Sequence, residues 1–106
     1  MSVQVVADGE FEQVLATTPT VVVKYFADWC GSCKLFAPKY RRLSDDPRFE
    51  GVVFLDVNAE HNPVARGMAN VDNLPFFATF RNGALVEGTA TAKEETVVAM
   101  LERLQS

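Results

Sequence analysis

The sequence predicts an α/β fold in which a central mixed β-sheet carries helices on both faces. Two β-branched runs, TVVVKYFA (20 to 27) and VVFLDV (52 to 57), are long enough to cross a sheet and apolar enough to be buried on both sides. Segments of helical spacing separate the first three strands, which should therefore lie parallel. Asn82-Gly83, set between FFATF and ALVEG, signals a hairpin and adds an antiparallel pair. With 106 residues, 48% of them hydrophobic and 23% charged, the chain can bury one core but not two, so residues 1–106 are expected to form a single domain.

The elements follow the order βαβαβαββα. VQVVA (3 to 7) is a short strand, and Asp8 can cap a helix over 9 to 16 in which Phe11, Val14 and Leu15 share a face. After the strand at 20 to 27, KLFAPKYRRLS has helical spacing in Leu35, Phe36, Tyr40 and Leu43, with Pro38 removing one backbone hydrogen bond and kinking the helix. The strand at 52 to 57 is followed by NPVARGMA, a short helix with Pro63 in its first turn. The hairpin then leads to TAKEETVVAMLERL, where Thr91 and Glu94 have capping-box spacing and Val97, Leu101 and Leu104 turn inward.

The formal charge of -4 and a pI near 4.9 give no electrostatic reason to expect nucleic acid or an anionic membrane as a partner. The cluster Lys39, Arg41 and Arg42 reads as a solvated helix face. MSVQVVADGEF has no basic n-region, long apolar run or small-residue cleavage site, so we expect a soluble cytoplasmic protein without a secretory signal; a monomer is the simplest expectation for its oligomeric state. His61 lies in a polar turn, NAEHNP, and reads as an exposed loop residue.

The chain has two cysteines, Cys30 and Cys33, in ADWCGSCKLFAP. Zinc needs about four ligands, and only His61 and carboxylates could join this pair, so no metal site is expected. A structural disulfide here would close too short a loop to constrain the unfolded chain much. Two inert buried thiols would sit oddly at a loop-to-helix junction. A redox dithiol fits better: at a helix start, residues i and i+3 come round to one side, and the helix N-terminus lowers the pKa of the first thiol. That thiolate can attack a target disulfide, and the second thiol can resolve the mixed disulfide. The motif also directly follows a central strand, at the carboxyl end where open α/β sheets carry their sites.

ADWCGSCKLFAP resembles the active-site segment of thioredoxins, usually written WCGPCK followed by an alanine and a proline. LPFFATFRNG (74 to 83) is similar to the segment in which that family carries its cis-proline, and the element order agrees with the thioredoxin fold. The resemblance implies that Cys30 is the exposed nucleophile and Cys33 the buried resolving thiol, the two forming the redox-active disulfide. It also implies that Trp29 packs and docks partners, with Gly31 and Ser32 between the cysteines at the same surface. Pro75 would be cis and face the disulfide, leaving the backbone of Leu74 free to pair with an extended substrate segment beside Phe76.

Several positions depart from the family pattern. Six residues before the first cysteine, where thioredoxins usually place an acid, stands Lys24, and Asp56 stands where some bacterial relatives carry the matching lysine. Either Lys24 snorkels to solvent and Asp56 is an ordinary strand-end carboxylate, or the two form a reversed ion pair. In the second case Asp56 is the candidate proton acceptor for Cys33, and Lys24 favours the thiolate electrostatically. Ser32 replaces the usual proline and brings an N–H that can donate toward the thiolate, making the couple more oxidising. Phe76 stands where threonine is common, Phe26 where a second tryptophan often stands, and Thr91 where glycine usually lines the groove.

The function expected is reduction of protein disulfides through Cys30 and Cys33, with no cofactor of its own and electrons from an external reductase such as a thioredoxin reductase. The same dithiol could instead serve an oxidase or isomerase in an oxidising compartment. The fold could also serve as a low-turnover binding module docking through Trp29, Pro75 and Phe76.

Overall fold

The structure, a computed structural model, describes residues 3–106. Its elements are β1 (Val3–Val5), α1 (Asp8–Thr17), β2 (Thr20–Phe26), α2 (Gly31–Ser44), a 3-10 turn (Pro47–Phe49), β3 (Val53–Asn58), α3 (Pro63–Ala69), β4 (Phe76–Arg81), β5 (Ala84–Ala90) and α4 (Glu94–Gln105). One five-stranded sheet has the order β1-β3-β2-β4-β5. β1 and β2 flank β3 in parallel, whereas β4 runs antiparallel to both β2 and β5. The expected mixed sheet is present, with β2 at its centre because Val21, Val22, Val23 and Tyr25 have apolar partners on both faces.

Strand alternation splits these apolar residues into two cores. Val21, Val23, Tyr25, Leu55, Val57, Phe76 and Phe80 face α1 and α3, where Phe11, Leu15, Ala65 and Ala69 meet them. Val22, Phe54 and Phe77 face α2 and α4, against Phe36, Tyr40, Leu43, Val97, Met100, Leu101 and Leu104. The inward residues of α2, namely Cys33, Phe36, Tyr40 and Leu43, keep a three-four-three spacing. Leu35, grouped with them from its spacing, is 79% exposed, because it falls one position off this stripe. Pro38 is accommodated within α2, which runs unbroken to Ser44.

Two caps differ from expectation. The N-cap of α1 is Ala7, whose N–H donates to Glu10 Oε1 at 3.1 Å. Asp8 lies inside the first turn and caps a different helix: its carboxylate accepts from Val64 N–H at 3.2 Å and Ala65 N–H at 2.8 Å at the start of α3. α4 begins at Glu94 with Lys93 as N-cap, and Thr91 Oγ1 accepts from Lys93 N–H at 3.1 Å instead of forming a capping box. β1 is two residues shorter than VQVVA, and the 3-10 turn has no periodic signal in the sequence. The hairpin turn fits its sequence: Asn82 and Gly83 both have positive φ, 51° and 83°, which asparagine and glycine adopt at least cost.

Candidate functional site

β2 ends at Phe26, and the chain turns through Ala27, Asp28 and Trp29 to Cys30, the N-cap of α2. Cys30 N–H donates to Ala27 O at 3.1 Å, and Cys30 O accepts from Lys34 N–H at 3.3 Å, so the first cysteine is fixed from both sides. Its sulfur takes the place of a capping oxygen: Cys33 N–H donates to Cys30 Sγ at 3.2 Å. Cys30 and Cys33 are joined by a disulfide across a Cα separation of 5.3 Å. The amide that reaches the Cys30 sulfur is that of Cys33, where the sequence suggested Ser32. Both amides lie within reach of an N-cap side chain, two and three residues on, and the one that bonds here is the third.

Cys30 is 4% exposed and Cys33 2% exposed. The contrast between an open first sulfur and a covered second one is thus absent in the oxidised state, where the bond tucks both beneath Ala27 and Leu74. Trp29 is 68% exposed and its Nε1–H donates to Glu60 Oε2 at 2.6 Å. No local pattern in the sequence points to Glu60, because this bond is made across 31 positions. Gly31 and Ser32 are exposed at the start of α2. A hollow of about 160 Å³ beside Ser32 is lined by Leu35, Phe36, Lys39 and Ala92.

The Leu74-Pro75 peptide bond is cis. Leu74 packs against the cluster of Ala27, Cys30 and Cys33, and Pro75 O accepts from Thr91 N–H at 3.1 Å. Phe76 is placed differently from its expected part in substrate binding. Its ring is 6% exposed and turned to the α1–α3 core, edge-on to Tyr25 with centroids 6.1 Å apart. The two-residue period of β4 sends Phe76 to the opposite face from Phe77 and α2.

Lys24 and Asp56 are register partners on β2 and β3. Their side chains meet: Lys24 Nζ lies 3.5 Å from Asp56 Oδ1, and the two side chains are 4% and 19% exposed. Lys24 does not snorkel to solvent. Its ammonium also lies 5.4 Å from the ring centroid of Tyr40, whose single hydroxyl hydrogen is shared between Leu55 O at 2.8 Å and Val22 O at 3.1 Å. Asp56 Oδ1 is buried without a hydrogen bond. Burial pushes the Asp56 carboxyl above the ordinary range, and the Lys24 charge, aided by Arg41, opposes that rise without cancelling it. Lys24, Asp56 and Cys33 line one cavity of about 200 Å³, together with Phe26, Ala27, Asp28, Lys34 and Ala37. Such a space has room for water, about 30 Å³ per molecule in the liquid, and Asp56 supplies an acceptor without a hydrogen bond beside it. Among the described residues, no group of three or more His, Cys, Asp or Glu side chains is gathered to hold a metal ion. No helix among them is long and apolar enough to cross a membrane.

Residues 2–103 match the thioredoxin family. The chain is 34% identical over 106 residues to a thioredoxin-like protein of Fusarium culmorum, covering 94% of this chain and 88% of that one. It is 36% identical over 88 residues to a chloroplastic F-type thioredoxin of Brassica napus, covering 81% of this chain and 47% of the relative, about half its length. Among solved structures, one of a complex between ferredoxin:thioredoxin reductase and thioredoxin f2 contains a chain that superposes with a TM-score of 0.89 at 27% identity. The superposition covers 99% of this chain and 96% of that one.

Proposed function

The chain belongs to the thioredoxin family and is a dithiol–disulfide oxidoreductase through Cys30 and Cys33, and from that premise we propose that it works as a reductase of protein disulfides. The observation that carries this reading is the Cys30–Cys33 disulfide at the N-cap of α2, with the Cys33 N–H directed at the Cys30 sulfur. The same amide and the helix N-terminus would stabilise a Cys30 thiolate once the bond is reduced.

In the reduced protein, Cys30 Sγ attacks one sulfur of a substrate disulfide. A Cys30–substrate bond forms, the substrate bond breaks, and the leaving sulfur departs as a thiolate that takes up a proton. Cys33 then loses its proton and attacks Cys30 Sγ, expelling the second substrate thiolate and closing the Cys30–Cys33 disulfide. Two electrons and two protons pass to the substrate, and the two sulfurs suffice as redox groups. Asp56 accepts the Cys33 proton through water in the shared cavity, its raised affinity for protons suiting it to work nearer neutral pH than an ordinary carboxylate. That transfer leaves Asp56 neutral and Cys33 as the thiolate, which the Lys24 ammonium lining the same cavity favours electrostatically. Trp29, Gly31, Ser32, Leu74 and Pro75 form the surface that receives the substrate.

An external reductase returns two electrons and two protons to the disulfide, a role supported by the likeness to the thioredoxin chain of the reductase complex. The same reading places the chain as a monomer in a reducing compartment such as the cytoplasm. Turbidimetric reduction of insulin with dithiothreitol as donor tests the proposal. Wild type should accelerate it and Cys30→Ser should not, whereas Cys33→Ser should accumulate a mixed disulfide. Wild type without activity would refute the reading.

A further inference from the structure

Leu74 carries the free backbone edge beside the disulfide. Its side chain packs on the cluster of Ala27, Cys30 and Cys33, and the next residue, Pro75, has no N–H to offer. The Pro75 carbonyl is already taken by Thr91 N–H, and from Phe76 onward the backbone is paired with Tyr25 and Ala90. What remains is the N–H and C=O of Leu74, the donor and acceptor that a single antiparallel bridge uses. These two groups differ. The carbonyl accepts no hydrogen bond among the described residues, while the N–H donates to Asn73 Oδ1 at 2.9 Å on the exposed surface.

We propose that Asn73 determines substrate specificity: its side-chain oxygen occupies the place of a substrate backbone carbonyl and must be displaced before Leu74 can pair with an extended segment. The inference rests on the reductase reading above and concerns the same surface. Asparagine competes for backbone donors close to it in sequence, and here the donor it holds is the one a docked strand requires. A segment that adopts a full β-bridge can exchange its own carbonyl for Asn73 Oδ1. One that bonds only the Leu74 carbonyl leaves Asn73 in place and binds more weakly. A small disulfide with no peptide backbone needs no such exchange.

Steady-state kinetics of Asn73→Ala test this. For a protein disulfide such as insulin, KM should fall about two- to tenfold, the range that one net hydrogen bond supports. The maximal rate, and the rate with 5,5′-dithiobis(2-nitrobenzoate), should be unchanged. Asn73→Asp keeps an acceptor oxygen in the same place and should retain a KM close to wild type. A KM that stays the same or rises in Asn73→Ala, or that falls equally in Asn73→Asp, overturns the proposal. A second measurement is independent of the kinetics. When Cys33→Ser is joined to a substrate peptide through Cys30, nuclear magnetic resonance should show the hydrogen bond from Leu74 N–H to Asn73 Oδ1 broken, and an intact bond in that adduct also overturns it. Wild type that reduces the small disulfide but no protein disulfide removes the reductase reading, and this inference with it.

Discussion

Asp56 holds its proton more tightly in the folded chain than an unfolded aspartate does, because burial outweighs the attraction of Lys24. Stability linked to this group is therefore complete below the ordinary aspartate value of 3.8 and is lost as pH rises through the higher folded value. Urea denaturation across that interval should show a decline in wild type that is missing in Asp56→Asn. The same substitution should slow resolution of the mixed disulfide about a hundredfold, the lower end for a lost general base, as read by acid quenching. Resolution at the wild-type rate would remove Asp56 from the mechanism. At this scale the sequence was informative where strand alternation applied. Lys24 follows Val22 on the face turned to α2, so an ammonium there had to find a counter-charge or reach solvent, and the tertiary structure chose between the two.

Elements are joined by contacts that cross the chain. Asp8 sits at the start of α1 but accepts from two N–H groups of α3, and Tyr25 on β2 donates its hydroxyl to Ala65 O in the same helix at 2.8 Å. Asp8→Ala should destabilise the fold by about 1–2 kcal/mol, the usual cost of a lost N-cap. Because α3 contributes no residue to the cluster around the cysteines, insulin reduction should be unaffected. A loss measured in urea of under about 0.3 kcal/mol would mean that water replaces the carboxylate, since a typical cap is worth more. The pairing of β4 with β5 imposes another constraint. A Cβ on Gly88 would lie 2.9 Å from the buried Phe76 ring, so Gly88→Ala should cost about 1–3 kcal/mol by overpacking, visible as a lower urea midpoint. An aspartate just before a helical run reads as that helix's cap, so Asp8 could not be assigned to α3 from sequence, and Gly88 gives no signal until the Phe76 ring is seen packed over it.

Across the whole molecule, the central sheet separates two apolar clusters that share a backbone but few side-chain neighbours. Val57 belongs to the α1–α3 side and Val97 to the α2–α4 side, and both are 0% exposed. Val57→Ala and Val97→Ala should each cost about 1–3 kcal/mol. The double variant should equal their sum to within about 0.5 kcal/mol, as for separated sites. A larger deviation in the denaturation free energies would show that the sheet transmits strain from one core to the other. The site uses this division. Cys33 and the Lys24–Asp56 pair lie on the α2 side, while Phe76 anchors the following strand on the other, so the cis Leu74-Pro75 segment beside the disulfide leads into a strand held from both faces.

What the sequence determined by itself was whatever short-range chemistry dictates: the order of elements, the Asn82-Gly83 turn, the mixed direction of the strands and two thiols at the head of a helix. Each depends on backbone preference, side-chain periodicity or a spacing of a few residues, and each survives in the folded chain. The tertiary structure alone decided which helix Asp8 caps, which face receives Phe76, which side chain anchors Trp29 and what occupies the Leu74 N–H. For Asp8 and Trp29 the partners lie more than 30 positions apart, and Phe76 finds its face only when the sheet assembles. Asn73 is next to Leu74, yet the significance of their bond comes from the disulfide beside it. Local sequence preferences specify which conformations are cheap, whereas only closure of the sheet brings these distant groups within bonding range.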